Sequence, residues 1–402
     1  MNPRLQLLHP YPFEKLRALL AGVTPPAGLA PINLSIGEPQ HPTPPFLKEA
    51  LCANLGGLAR YPLTKGLPEL RQAIASWLER RHGLSRVDPE TQVLPTMGSR
   101  EALFAIAQSI LDPLEHDALV LCPNPFYQIY EGAALLGGAR PFFVNATAER
   151  GFAPDWDHVP ETAWKRTRLV FACSPNNPNG RVMPLAEWAR LFERSDRHGF
   201  TIVSDECYSE IHFDESSPPL GALAAAKALG REGFERLIVM GSLSKRSNAP
   251  GLRSGFAAGD AKRLADFALY RTYHGSAMSN TIQLASIAAW NDEAHVRENR
   301  RLYREKFDAF FGLVNPVLPL ARPEAAFYYW VAVPGDDGAF ARGLYAHAGI
   351  TVLPGSYLSR EAHGRNPGRG HVRVALVSTV AEAEEAGRRL ADFVARGCPP
   401  AP

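Results

Sequence analysis

The sequence predicts an α/β fold: a mostly parallel, seven-stranded sheet in a large domain, with a smaller α/β domain beside it. Three observations carry that reading. Short apolar, β-branched runs alternate with helix-period segments through the middle of the chain, turn residues punctuate them, and 402 residues with 46% hydrophobic content can fill more than one core. Strands separated by helices can pair in parallel, because a parallel connection needs a crossover of about a dozen residues or more.

Taken in order, residues 1–22 are interrupted by His9-Pro10-Tyr11-Pro12 and by Glu14, Lys15 and Arg17, which fits neither a signal peptide nor a membrane span. Residues 24–45 carry Pro25, Pro26, Pro31, Pro39, Pro42, Pro44 and Pro45, so they read as an extended arm crossing the surface or reaching a partner. The βαβ rhythm then begins with a strand at 92–94, a helix at 99–111, a strand at 118–121 and a helix from about Phe126. Further strands are expected at 141–144, 169–172, 201–204, 237–241 and 255–258, with a covering helix at 185–198. These elements give a large domain over 46–285. Residues 1–45 and 286–402 would form the arm and small domain, with a charged helix at 291–311, a strand at 327–333 and a last helix at 380–395.

Charge and composition remove several classes of function. With 43 Lys and Arg against 41 Asp and Glu, the formal charge is +2, and no long basic run marks a nucleic acid or an anionic membrane as partner. No run of 18 uninterrupted apolar residues is present, so a cytoplasmic enzyme is expected. Five cysteines, Cys52, Cys122, Cys173, Cys207 and Cys398, show no C-x-x-C spacing and argue against a disulfide framework or a zinc site.

Lys245 is the most informative residue. It lies in Ser242-Leu243-Ser244-Lys245-Arg246-Ser247-Asn248-Ala249-Pro250-Gly251-Leu252-Arg253, just past the apolar run 237–240. The carboxyl end of a strand is where open α/β sheets bind ligands. A lysine there, among small hydroxyl residues, suits a Schiff base with a carbonyl cofactor, and Arg253 can fold back toward the same edge.

That segment resembles the pyridoxal-phosphate lysine signature of class I/II aminotransferases, fold type I. Four more segments agree, in the family's order: Gly98-Ser99-Arg100-Glu101-Ala102-Leu103, Asn177-Pro178-Asn179-Gly180, Asp205-Glu206-Cys207-Tyr208 and His371-Val372-Arg373-Val374-Ala375. The resemblance implies pyridoxal 5'-phosphate as cofactor and assigns its partners. Lys245 would hold it and then shuttle a proton, Asp205 would pair with the pyridine nitrogen, and Tyr208 and Asn177 would bond the ring's phenolic oxygen. Ser99, Arg100, Ser242 and Arg253 would attend the phosphate at the start of a helix, where backbone N–H groups favour an anion. Tyr127 matches the aromatic that stacks on the ring, with Phe126 or Tyr130 as the core residue beside it. Arg373, Asn177 and the backbone of Gly37 would receive the substrate α-carboxylate. Tyr61 matches a tyrosine that reaches the phosphate of the other subunit, implying a homodimer with shared sites. From the residues alone, Asp205 also reads as a helix cap, Asn177 as a turn residue and Ser99 as a cap.

The run 242–256, the stretch Gly364-Arg365-Asn366-Pro367-Gly368 and the arm Tyr11-Pro12-Phe13-Glu14-Lys15-Leu16 are similar to bacterial N-succinyldiaminopimelate aminotransferases. That implies amino transfer from N-succinyl-L,L-2,6-diaminopimelate to 2-oxoglutarate in lysine biosynthesis, with amino and keto acids as small-molecule partners. For the distal succinyl carboxylate the candidates are Lys15, Arg17, Arg100 and Arg271. Relatives acting on aspartate, aromatic or acetylornithine substrates share the scaffold, and a pyridoxal-phosphate β-lyase shares the lysine, aspartate and tyrosine. A transcription regulator with a similar ligand domain would need a DNA-binding segment, for which no basic helix-turn-helix pattern is present.

Overall fold

The computed structural model describes residues 1–401. Its centre is a seven-stranded sheet built from β1 (Val93–Thr96), β2 (Leu119–Asn124), β3 (Arg140–Asn145), β4 (Thr167–Cys173), β5 (Thr201–Asp205), β6 (Leu237–Ser242) and β7 (Gly255–Gly259). The spatial order is β1-β7-β6-β5-β4-β2-β3, and every neighbouring pair is parallel except the two that involve β7. All seven expected strands form. The inner ones are apolar and buried along their whole length because both faces are covered: Val170, Ile202 and Val239 pack into one core, Phe171, Val203 and Met240 into the other.

Topology sets the location of the chemistry. The parallel strands bring Cys173, Asp205 and Ser242 to one edge of the sheet. The reversed strand β7 begins at that same edge, where Gly255 lies opposite both Ser242 and Thr96. Arg253 and Gly98, far apart in sequence, are thereby brought to one corner.

A second core belongs to the carboxyl-terminal part. There β8 (Tyr328–Ala332), β9 (Leu353–Pro354) and β10 (His371–Ala375) form an antiparallel sheet in the order β9-β10-β8, covered by the helices Ala294–Val314 and Val380–Ala395. Thr379 and Glu382 close the start of the last helix in a reciprocal capping box. The arm joins this part directly. Ile32–Asn33 pair in parallel with Ile350–Thr351, and Ala375 N–H donates to Leu34 O at 2.8 Å.

Two helices start later than the sequence suggested. The one expected from Phe126 runs Ile129–Leu136, because Phe126 N–H is taken by Leu358 O at 3.0 Å. The charged helix is Ala294–Val314 rather than 291–311: Asn291 closes the preceding helix, and the Asp292 carboxylate caps His295 N–H at 2.9 Å. Among the described residues, no helix is long and apolar enough to cross a membrane and no group of side chains is arranged to hold a metal ion.

Candidate active site

A cavity of about 550 Å³ opens where the sheet edge, the arm and the small sheet meet. Lys245, Asp205, Tyr208, Asn177, Ser99, Arg100, Tyr127, Ser242, Arg253, Gly37 and Arg373 all line it. Of the cofactor and substrate residues assigned from sequence, Tyr61 alone stands apart, fully exposed on the surface.

The floor is the sheet edge. Ser242 ends β6 and caps the one-turn helix Leu243–Arg246, its Oγ accepting from Ser244 N–H at 3.0 Å, so the lysine three residues on is delivered over the cavity. Lys245 Nζ donates to Gly37 O at 2.6 Å and lies 5.6 Å from the centre of the Phe327 ring. Burial holds its pKa down to about 8, so it gives up its proton far more readily than a free lysine. Asp205 is 4% exposed, and its two oxygens accept from Tyr130 Oη at 2.8 Å and Cys207 N–H at 3.3 Å. No cation lies within ion-pair distance of that carboxylate, and burial pushes its pKa up. Tyr130, expected with Phe126 as a candidate core residue beside Tyr127, is fully buried in that core, as is Phe126, and it is also the aspartate's hydrogen-bond partner. The sequence signal was a tyrosine, rather than a phenylalanine, on a buried helix face.

The corner at β7 is built for an anion. Gly98 has φ +78°, and a Cβ there would sit 2.7 Å from Arg253 Nη2, so the guanidinium packs directly over the start of the helix Ser99–Ile110. Arg253 itself, with φ 53°, donates to Pro250 O at 3.0 Å and has no acidic partner. Ser99 Oγ lies 2.9 Å from Cys207 Sγ. The hydroxyl of Ser242 faces inward to Ser244 Oγ at 2.8 Å and Ser254 O at 3.2 Å.

The opposite wall holds a second guanidinium. Arg373, on β10 and 4% exposed, donates from Nη1 to Asn177 Oδ1 at 2.9 Å and from Nη2 to Ser35 O at 2.7 Å, with its Cζ 4.4 Å from the centre of the Tyr328 ring. Its Nε is buried without a partner. Tyr208 Oη and Tyr328 Oη are 2.8 Å apart. A Cβ on Gly37 would fall 2.0 Å from Tyr328 Oη, which is why this arm position must be glycine. Sequence reasoning missed Tyr328 and Ser35. One is an aromatic in an aromatic run and the other acts through its backbone, so neither carries a local signal.

At the mouth, Arg100 Nε donates to Tyr127 Oη at 2.7 Å and Nη2 approaches Tyr11 Oη at 3.5 Å. Of the four cations considered for a distal carboxylate, it is the one in the cavity wall. Arg271 is 1% exposed and committed to Glu101, with Nη1 at 2.5 and 2.6 Å from its two oxygens, so it is a structural pair. Lys15 sits against the Tyr357 ring at 5.9 Å and Arg17 is exposed on the helix Pro12–Leu19, neither lining the cavity.

The donor set fits pyridoxal 5'-phosphate. A buried carboxylate lacking a cation suits a protonated ring nitrogen, two guanidiniums without acidic partners suit a phosphate and a carboxylate, and a readily deprotonated amine stands between them.

Comparison with known proteins agrees with that chemistry. A family model described as aminotransferase class I and II matches residues 30–390. The LL-diaminopimelate aminotransferase of Desulforudis audaxviator is 33% identical over 402 aligned residues, covering 98% of this chain and 97% of that protein. A crystal structure of an aminotransferase from Neisseria meningitidis is 53% identical with a TM-score of 0.95, over 98% of this chain and 100% of that one. A probable N-succinyldiaminopimelate aminotransferase from Thermus thermophilus is 27% identical with a TM-score of 0.82, over 95% and 99% of the two chains.

Proposed function

Because the chain belongs to the class I and II aminotransferases, whose fold is pyridoxal-phosphate dependent, we propose that it moves an amino group between N-succinyl-L,L-2,6-diaminopimelate and 2-oxoglutarate. The observation that carries this reading is the surplus of guanidinium in one cavity. With Arg253 given to the phosphate and Arg373 to the α-carboxylate, Arg100 remains at the mouth between two phenols, with no carboxylate among the described residues in ion-pair contact with it. A donor with a free amino acid centre at one end and carboxylates at the other uses the two that the phosphate leaves, Arg373 and Arg100.

When bound, the cofactor supplies a carbonyl carbon that takes up an amino group and a ring that draws electron density from the carbon attached to it. The chain's own residues do the rest. Asp205 holds a proton on the ring nitrogen. Lys245 would hold the cofactor, and its Nζ would be the base that moves the α-proton. Arg373 grips the carboxylate with two parallel hydrogen bonds, exchanging its contacts with Asn177 and Ser35 for the substrate or keeping one of them. Tyr208 and Asn177 hydrogen-bond the phenolic oxygen, and Tyr127 covers the ring face.

The active unit in this proposal is a homodimer in which Tyr61 reaches the partner's phosphate. Leu55, Leu58, Tyr61 and Leu63 are 53%, 69%, 100% and 72% exposed, an apolar run that a second copy would cover.

A second reading has L,L-diaminopimelate itself as donor. Two observations favour it: the relative from Desulforudis audaxviator carries that name, and Glu38 is an exposed carboxylate in the cavity wall that suits a distal ammonium. One experiment separates the readings. The purified, cofactor-loaded protein is mixed with single amino donors, and loss of the cofactor's visible absorbance is followed. The succinylated donor is expected to react at least about tenfold faster, in kcat/KM, than L,L-diaminopimelate, aspartate, phenylalanine or N-acetylornithine. The reverse order for the two diaminopimelates selects the second reading. Pyruvate release from cystathionine marks a β-lyase, and no response to any donor overturns both.

A further inference from the structure

We propose that Asn299 is a positioning residue for Lys245, and that together with His41 it clamps the arm to the lysine so that Nζ keeps a single aim into the cavity. The inference rests on the reading of Lys245 as the amine that carries the cofactor. Asn299 lies on the helix Ala294–Val314, outside the cavity lining, and is 2% exposed. Both ends of its amide are engaged. Nδ2 donates to the main-chain O of Lys245 at 3.2 Å, while Oδ1 accepts from Asn248 Nδ2 at 3.0 Å and from His41 Nδ1 at 2.8 Å. Since Oδ1 only accepts, the partner fixes the tautomer: His41 carries its proton on Nδ1. Burial keeps that imidazole neutral, holding its pKa down to about 4.

The same stretch of arm grips the other end of the lysine. Nζ donates to Gly37 O at 2.6 Å, and Thr43 Oγ1 donates to Asn248 O at 2.7 Å, so residues 37, 41 and 43 hold the amine, the main chain and the following turn. Pro39 and Pro42 stiffen the short coil between these points, so a displacement at one is transmitted to the other. Aromatic packing closes the frame. The His41 ring lies 4.8 Å from that of Tyr303, which stacks at 5.6 Å on Phe327, the ring beneath Nζ.

A nucleophilic amine needs a fixed and partly dry place, because water favours its ammonium form. Without Asn299 the main-chain O of Lys245 and the arm are no longer joined, and water reaches Nζ. Of the groups whose charge acts on that amine, Cys207 after β5, Arg373 on β10 and Arg100 on its helix lie off the arm; Glu38 rides on it and raises the pKa, so its withdrawal opposes the rise that entering water brings and makes an upward shift the stricter test.

The test uses the full-length protein stripped of cofactor. Acylation of Lys245 by acetic anhydride is measured against pH by peptide mass spectrometry, and pyridoxal phosphate retention is measured after reloading. Asn299→Ala is expected to raise the midpoint of acylation by about one pH unit and to weaken retention about tenfold. His41→Leu should shift both the same way by less. His41→Asn, whose amide nitrogen lies where Nδ1 does, should restore the wild-type midpoint. An unmoved midpoint in a folded Asn299→Ala protein overturns the proposal, as does a His41→Asn variant no better than His41→Leu. Should Asn299→Ala not fold, the two His41 variants decide alone. A protein whose Lys245 shows the expected shifts yet takes no borohydride-trapped pyridoxal label overturns the functional reading and leaves the clamp standing.

Discussion

On the sheet side of the cavity, Asp205 and Ser242 end strands that are hydrogen-bonded on both flanks. On the facing side, Gly37 and Glu38 follow a two-residue strand and are held by individual contacts, to Lys245 Nζ and against Tyr328. The first wall is placed by a ladder of backbone bonds that no single substitution undoes. On the second, Arg373 has such a ladder, on β10 between β8 and β9, but the arm is placed by side-chain contacts, each of which can be exchanged. In the proposed reading, cofactor chemistry, which needs fixed geometry, would fall on the first wall, and choice of substrate on the second, where it can vary without loss of the fold.

The largest effect that would sharpen this division is expected at Arg373, the guanidinium facing the sheet wall. Arg373→Lys keeps the charge but loses the planar fork that matches a carboxylate. We expect kcat/KM to fall for the amino donor and for glutamate alike, by about 2–5 kcal/mol of transition-state stabilisation, while the cofactor stays bound. Both half-reactions use one site, so an effect on one substrate only, or a loss of cofactor, would show that the two walls are not separable in this way.

A smaller effect tests whether one chain makes the whole site. Tyr61 is exposed and far from any described partner, although it resembles a phosphate-binding tyrosine. In the proposed dimer, mixing inactive Lys245→Ala chains with impaired Tyr61→Phe chains gives hybrids with one intact site, and activity should recover to about a quarter of wild type for random exchange at equal amounts. Recovery that never exceeds the sum of the separate variants would assign each site to a single chain.

How much of this was legible in the sequence follows the same division. Strand ends were legible, because apolar runs flanked by turns locate the edge: Lys245, Asp205 and Asn177 each close or follow such a run, and Arg253 comes just before one. Residues that act through tertiary contact were not. Ser35 contributes a carbonyl that any residue would carry, Tyr130 reaches Asp205 across a helix-to-strand contact 75 positions away, and Asn299 is a polar residue on the buried face of a charged helix. Arg271 shows the other side: a candidate for the distal carboxylate that also read as a structural charge, it is buried and paired with Glu101.

The smallest expected effect concerns stability and asks how dry the sheet wall is behind the site. Glu206 follows Asp205, is 4% exposed, and accepts from Ser204 Oγ at 2.9 Å and Ala222 N–H at 2.7 Å through one oxygen. Its other oxygen lies beside Gly221, where a Cβ would fall 2.7 Å from it and 2.9 Å from His82 Nδ1. Burial, reinforced by the charge on Asp205, pushes its pKa from 4.5 up to about 7. The folded chain therefore binds a proton that the unfolded chain releases at lower pH. The resulting contribution to stability is full below about pH 4.5 and is lost as pH rises toward 7. Glu206→Gln fixes the uncharged shape and keeps the accepting oxygen, so its melting temperature should gain on wild type across that window and then run parallel above it. The gain is bounded at about 3 kcal/mol by the size of the shift. Identical pH dependence in the two proteins would mean that Glu206 is charged in the folded state throughout, and that water or a moving cation reaches the back of the wall.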